Sequence, residues 1–167
     1  MKRLFFTLLL APALTFAQDC KIKKEIDPFS QQPKFTTGFL RLSDAEGGKI
    51  NVNVEGDSKE IKFLFSSGPD HCFDDQSAAA ITFDGTKTKS NQKNASSMNC
   101  EGIFSIVFRN GTSTPYFLQK MITQKITSII ITGTTKQKVE IVLKDEEKQQ
   151  LLDMAACLVK ESKTLVK

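Results

Sequence analysis

Tryptophan is missing from this chain and tyrosine occurs once, at Tyr116, so aromatic cages and stacking platforms for bases or sugars are poorly supplied. Histidine also occurs once, at His71, which limits imidazole chemistry to a single position. None of the four cysteines stands two to four residues from another, the spacing that structural zinc sites use. Internal repeats and low-complexity tracts are absent. Charge of one sign is scarcely in excess: 23 basic residues face 19 acidic ones, and Lys2 and Arg3 supply half of the +4 surplus. Such a balance steers a protein neither to nucleic acid nor to an anionic membrane. The lysines are scattered among threonines and serines, as on a solvated surface.

What is present begins with an export signal. Lys2 and Arg3 precede an apolar run at residues 4–16, interrupted by Pro12, with small Thr15 and Ala17 ahead of Gln18. That pattern predicts a signal peptide over residues 1–17, cut between Ala17 and Gln18. A bilayer-spanning helix needs about 20 apolar residues, and this run of roughly thirteen falls short. Lipidation at Cys20 is disfavoured by Gln18 and Asp19, which stand where the lipid-transfer machinery wants small uncharged side chains. The expected mature form, residues 18–167, has the size of one domain and no membrane association. A chain of that length buries about two thirds of its surface.

An even number of cysteines in an exported chain suggests disulfides, with three possible connectivities. Cys72 precedes the strand around Ile81 and Cys100 the strand around Phe104. If both strands belong to one sheet, their entry points share an edge, which favours Cys72–Cys100. That bridge would close a loop of about 29 residues, worth roughly 3–4 kcal/mol by chain entropy. Cys20 and Cys157 remain, and their pairing would pin the first strand to the last helix; the alternative is a buried free thiol at Cys157.

From Phe35 the hydrophobic period is two. Ile50, Val52 and Val54 alternate with Asn51, Asn53 and Glu55, and Ile61, Phe63 and Phe65 line the next strand, giving a β-meander. Asp84-Gly85 signals a hairpin, whose second strand, residues 86–93, is wholly polar and lysine-rich, as an exposed edge should be. Thr114-Pro115 reads as an N-cap followed by proline in the first helical turn, ahead of Phe117, Leu118, Met121 and Ile122. A second hairpin turns at Gly133-Thr134, and Asp145-Glu146-Glu147 open a terminal helix with Leu151, Leu152, Ala155, Leu158 and Val159 inward. The expected fold is α+β: a mainly antiparallel sheet, from a β-meander plus a C-terminal β-hairpin, with two helices packed on one face.

The densest polar cluster is Asp70-His71-Cys72-Phe73-Asp74-Asp75. A functional reading makes His71 with Asp74 or Asp75 a metal site, or makes His71 a general base oriented by an aspartate. The plainer reading is a solvent-exposed loop anchored by a disulfide, because adjacent carboxylates rarely ligate without donors from distant segments. The 44–48 stretch lacks the ligand pattern of a calcium loop and is a turn. Phe117 and Met121 are core by spacing, and no cofactor motif is present. Asn94-Ala95-Ser96 and Asn110-Gly111-Thr112 are formal glycosylation sequons. The wet sheet face carrying Asn51, Asn53, Glu60 and Lys62 is a candidate surface for a protein or polymer partner.

The signal ending Phe16-Ala17-Gln18 is similar to those of exported proteins from Bacteroidota. The apolar pattern through Leu118, Ile126-Thr127-Ser128-Ile129, residues 139–143, Leu151-Leu152 and Cys157-Leu158 also resembles the C-terminal half of small proteins that they export. The resemblance covers about the last fifty residues and the signal, implies no activity and carries over no site residue. The function expected is an exported, non-enzymatic binding or interaction module. The alternatives are a hydrolase or metal-dependent enzyme centred on the His71 loop, or a disulfide-braced protease inhibitor presenting residues 66–77.

Overall fold

Alternation of apolar and polar residues decides which side of each strand is buried, and hydrogen-bonded register decides which strands meet. The computed structural model describes residues 21–43 and 47–166. The predicted signal peptide and Cys20 lie outside the described residues, as does most of the 44–48 turn. In chain order the elements are β1 (Lys23–Ile26), β2 (Pro33–Thr36), β3 (Leu40–Ser43), β4 (Lys49–Gly56), β5 (Glu60–Ser66) and β6 (Ala78–Phe83). Then follow β7 (Lys89–Lys93), β8 (Ile103–Arg109), α1 (Tyr116–Met121), β9 (Ile126–Thr132), β10 (Lys138–Val142) and α2 (Asp145–Lys163).

The fold is α+β and its pairings are antiparallel. The strands sort into two sheets rather than the one that the alternation suggested. Six strands form the first, ordered β1-β2-β4-β5-β8, with β3 also pairing with β4. Four form the second, ordered β10-β9-β6-β7. The β3-β4-β5 meander and the β9–β10 hairpin are both present. The β6–β7 hairpin leaves the first sheet between β5 and β8 and joins β9 instead. Its polar strand is shorter than expected, Lys89–Lys93, and forms an edge of the second sheet.

One apolar core joins the inner faces of both sheets to α2. Val52, Val54, Phe63 and Phe104 come from the first sheet, and Ala79, Ile81, Ile129 and Ile131 from the second. Leu151, Ala155 and Leu158 project from α2 into the same cluster, as their helical spacing requires. Phe117 of α1 makes ring contacts with Phe83 of one sheet and Phe108 of the other, at 5.8 and 6.0 Å between centroids. α2 packs closely on β4 at Gly56: a Cβ there would collide with Ser162 and press on Leu158.

Two local expectations need correction. Pro115 (ψ 142°), not Thr114, is the N-cap of α1, because its extended backbone delays the helix by one residue. Thr114 instead accepts a 2.6 Å hydrogen bond at Oγ1 from Lys163 Nζ. Asn53 is not on a wet face either. Thr36 and Thr37 of the adjoining β2 segment donate to its Oδ1 at 3.0 and 3.1 Å, and it is buried. The acids at the start of α2 are where they were expected. Glu147 reaches back to accept from Lys144 N at 3.0 Å and from Ser43 N at 2.9 Å, tying the helix to β3.

Candidate functional site

The β5–β8 ladder has two ends, and the loops at each end build different surroundings. At one end Ser66 pairs with Ile103; at the other Glu60 pairs with Arg109. Seven residues of strand separate them, roughly 20 Å.

The Ser66–Ile103 end carries the loop that drew attention in the sequence. Cys72 and Cys100 are joined in a disulfide, flanked by an isolated bridge in which Phe73 and Asn99 exchange backbone hydrogen bonds of 2.8 and 2.9 Å. The bridge was expected from strands sharing one sheet. In fact β6 and β8 belong to different sheets, and the disulfide ties the segments that enter them. Cys157 is also disulfide-bonded, and its expected partner, Cys20, lies outside the described residues.

The polar cluster around His71 does not converge. Asp74 closes its own turn: Oδ1 accepts from Gln76 N, Ser77 N and Ser77 Oγ at 2.8–3.0 Å. Asp70 and Asp75 are exposed. His71 lies parallel to Phe73, with centroids 6.3 Å apart, and its Nδ1 is buried without a hydrogen-bond partner among the described residues. Among the described residues, no group of three or more His, Cys, Asp or Glu side chains is placed to hold a metal ion.

Both sequon asparagines are internal fasteners. Asn94 is buried; its Nδ2 donates to Asp74 O at 3.0 Å and its Oδ1 accepts from Ser105 N at 2.9 Å, extending the free edge of β8. Asn110 is buried too, donating from Nδ2 to Asp57 O at 2.6 Å and to Ser162 O at 2.9 Å.

The Glu60–Arg109 end is an open recess of about 1050 Å³. Its walls come from the β1–β2 turn, the β4–β5 turn, the connection from β8 to α1 and the end of α2. Lys59 and Arg109 supply two cations; Ser58, Thr112, Ser113 and Thr164 supply hydroxyls. Pro33, Pro115, Leu165 and Val166 form the apolar part of the lining, and among the described residues no lining residue is acidic.

The nearby carboxylates are engaged elsewhere. Asp57 Oδ1 accepts from Lys59 N and Glu60 N at 2.6 and 2.9 Å. Asp27 Oδ1 accepts from Ser30 N and Phe29 N at 2.7 and 3.0 Å, and the Ser30 amide holds its carboxyl below the ordinary value. Glu60 stands across the ladder from Arg109 but is joined to Lys62 at 2.9 Å. Lys59 and Arg109 therefore enter no ion pair among the described residues.

No family model, no curated protein and no solved structure matches the chain. The recess is accordingly judged on its own geometry. Sequence reasoning missed it because its residues come from four separate segments, and the one motif among them, the Asn110-Gly111-Thr112 sequon, does not point to a binding surface. The available signal was faint: Ser58-Lys59 and Arg109-Asn110-Gly111-Thr112 are polar turn stretches that adjoin strands with strict alternation. Of the surface expected to be wet, Asn51 is exposed, while Glu60 and Lys62 neutralise each other.

Proposed function

We propose that the protein is an exported, non-enzymatic binding module whose working surface is the recess at the Glu60–Arg109 end of the ladder. The observation that carries this reading is the pair of cations, Lys59 and Arg109, without an ion pair among the described residues, in a concave surface ringed by hydroxyls and amides. Binding sites combine a cavity with a few convergent polar groups, and this recess has that composition. Export is supported by the signal-like N-terminus and by the Cys72–Cys100 disulfide, since such bridges persist in oxidising compartments. Among the described residues, no helix is long and apolar enough to cross a membrane.

Thermal-shift titration against a panel of small anions, neutral sugars and peptides tests the reading. At least one anionic probe should raise the melting temperature of the wild type and of His71→Ala, but not that of Lys59→Ala/Arg109→Ala. Hydrolytic activity abolished by His71→Ala would transfer the function to the other end of the molecule. Intact mass after alkylation without reduction is expected to show a chain beginning at Gln18 with no free thiol; a full-length chain with reactive thiols would remove the export component.

A further inference from the structure

We infer that the recess takes an anionic saccharide, a short stretch of a uronate-bearing or sulfated chain. This rests on the reading of the recess as the binding surface and adds the class of its ligand. Charge sets the first requirement. Lys59 and Arg109 are exposed and enter no ion pair among the described residues; Glu60 is paired with Lys62, while Asp27 and Asp57, still charged, are held by turn amides. The recess therefore favours a negative group, although the chain as a whole is nearly balanced in charge.

The second requirement comes from the remaining polar lining. Ser58, Thr112 and Ser113 can both donate and accept, as can the amide of Gln32, whereas Thr164 donates to Glu161 O and offers only its lone pairs. A ligand whose own groups are hydroxyls matches that dual character. A chain of backbone amides would instead look for an open strand edge, as in strand addition.

Two exposed aromatic residues close in the chain to lining positions, Phe29 and Tyr116, supply the third element. Phe29, 95% exposed, lies in the turn that ends at Gln32 and Pro33. Tyr116, 80% exposed, follows Pro115, and the Lys120 ammonium lies 5.9 Å from its ring centroid. The C–H face of a sugar ring packs on such surfaces, and a tyrosine combines an apolar body with a polar tip. The sequence suggested that stacking platforms were scarce; the one tyrosine is nevertheless exposed and directly follows the lining residue Pro115. A volume of about 1050 Å³, open on one side, suits several sugar units rather than a single small anion.

Calorimetric titration of the whole protein at low and at physiological salt tests the assignment with oligogalacturonate, a heparin oligosaccharide, a malto-oligosaccharide and oligoglutamate. One or both of the acidic saccharides should bind, more weakly at higher salt, and the neutral sugar should bind at least about tenfold more weakly. Binding of oligogalacturonate shows that uronate suffices; binding of the heparin oligosaccharide alone, which carries both groups, shows that sulfate is required. Lys59→Glu/Arg109→Glu should lower the affinity at least about tenfold, and Tyr116→Ala severalfold, with unchanged circular dichroism. Oligoglutamate binding as tightly, sensitive to the charge reversal but not to Tyr116→Ala, would overturn the saccharide assignment and leave the recess as a binding site. Binding of no probe, or binding indifferent to the charge reversal, would overturn both.

Discussion

The two ends of the β5–β8 ladder put similar residue types to opposite uses. At the Ser66–Ile103 end the polar atoms are turned on one another: Asp74 caps its own turn, Asn94 completes the edge of β8, and a disulfide fastens the segments together. At the Glu60–Arg109 end Asp57 and Asn110 also serve the backbone, but Lys59 and Arg109 enter no ion pair among the described residues. A dense cluster of acids and a histidine in sequence thus produced a fastener. A dispersed set of ordinary residues produced the open surface. Closeness along the chain is a poor guide to chemistry unless the fold also makes the side chains converge.

The largest expected effect sharpens that contrast at the fastened end. Cys72→Ser/Cys100→Ser should lower unfolding free energy by roughly 3–4 kcal/mol in urea denaturation, because the unfolded chain regains loop entropy. Ligand binding at the recess should persist below the transition; its loss in the still-folded variant would show that the ends are not independent. Asn110→Ala, at the open end, removes two hydrogen bonds and takes the side-chain donor from the Asp57 carbonyl, while Ser162 O keeps Leu165 N at 3.1 Å. A loss of about 1–3 kcal/mol is expected, together with weaker ligand binding. Asn94→Ala should cost a similar amount while leaving binding intact, and weakened binding there would break the comparison.

The smallest effect concerns pH. The Asp27 carboxyl titrates below its ordinary value because the Ser30 amide donates to it. A group depressed in the folded state stabilises above its unfolded pKa, and that contribution fades as pH falls through the folded one. Protection of the Phe29 and Ser30 amides, relative to the intrinsic exchange rate at each pH, should therefore fall only on strong acidification, with the global melting temperature scarcely altered by this half-exposed group.

Much of the fold was legible because period-two alternation reports directly on burial. Val52, Val54, Phe63 and Phe65 are inward as their spacing requires, and Leu151, Ala155 and Leu158 follow the helical stripe. What alternation cannot report is the partner. Nothing in residues 78–83 distinguishes a strand of the first sheet from one of the second, so Cys72 and Cys100 were paired correctly through an incorrect sheet assignment. Asn53 shows the complementary failure: its outward position was readable, but the β2 segment that covers it was not. The recess was illegible for the same reason, since Lys59, Arg109, Pro33 and Thr164 meet only through long-range packing.

The burial of Asn94 and Asn110 bears on how the protein is made. Oligosaccharyltransferases modify unfolded chain during translocation, before these amides can find Asp74, Asp57 and Ser162. A glycan attached then would occupy the Nδ2 atoms that later fasten both ends of the ladder, and the core could not close around it. Production in a eukaryotic secretory host should therefore yield sugar-bearing, trapped molecules, whereas a non-glycosylating oxidising compartment leaves both asparagines free to complete the fold.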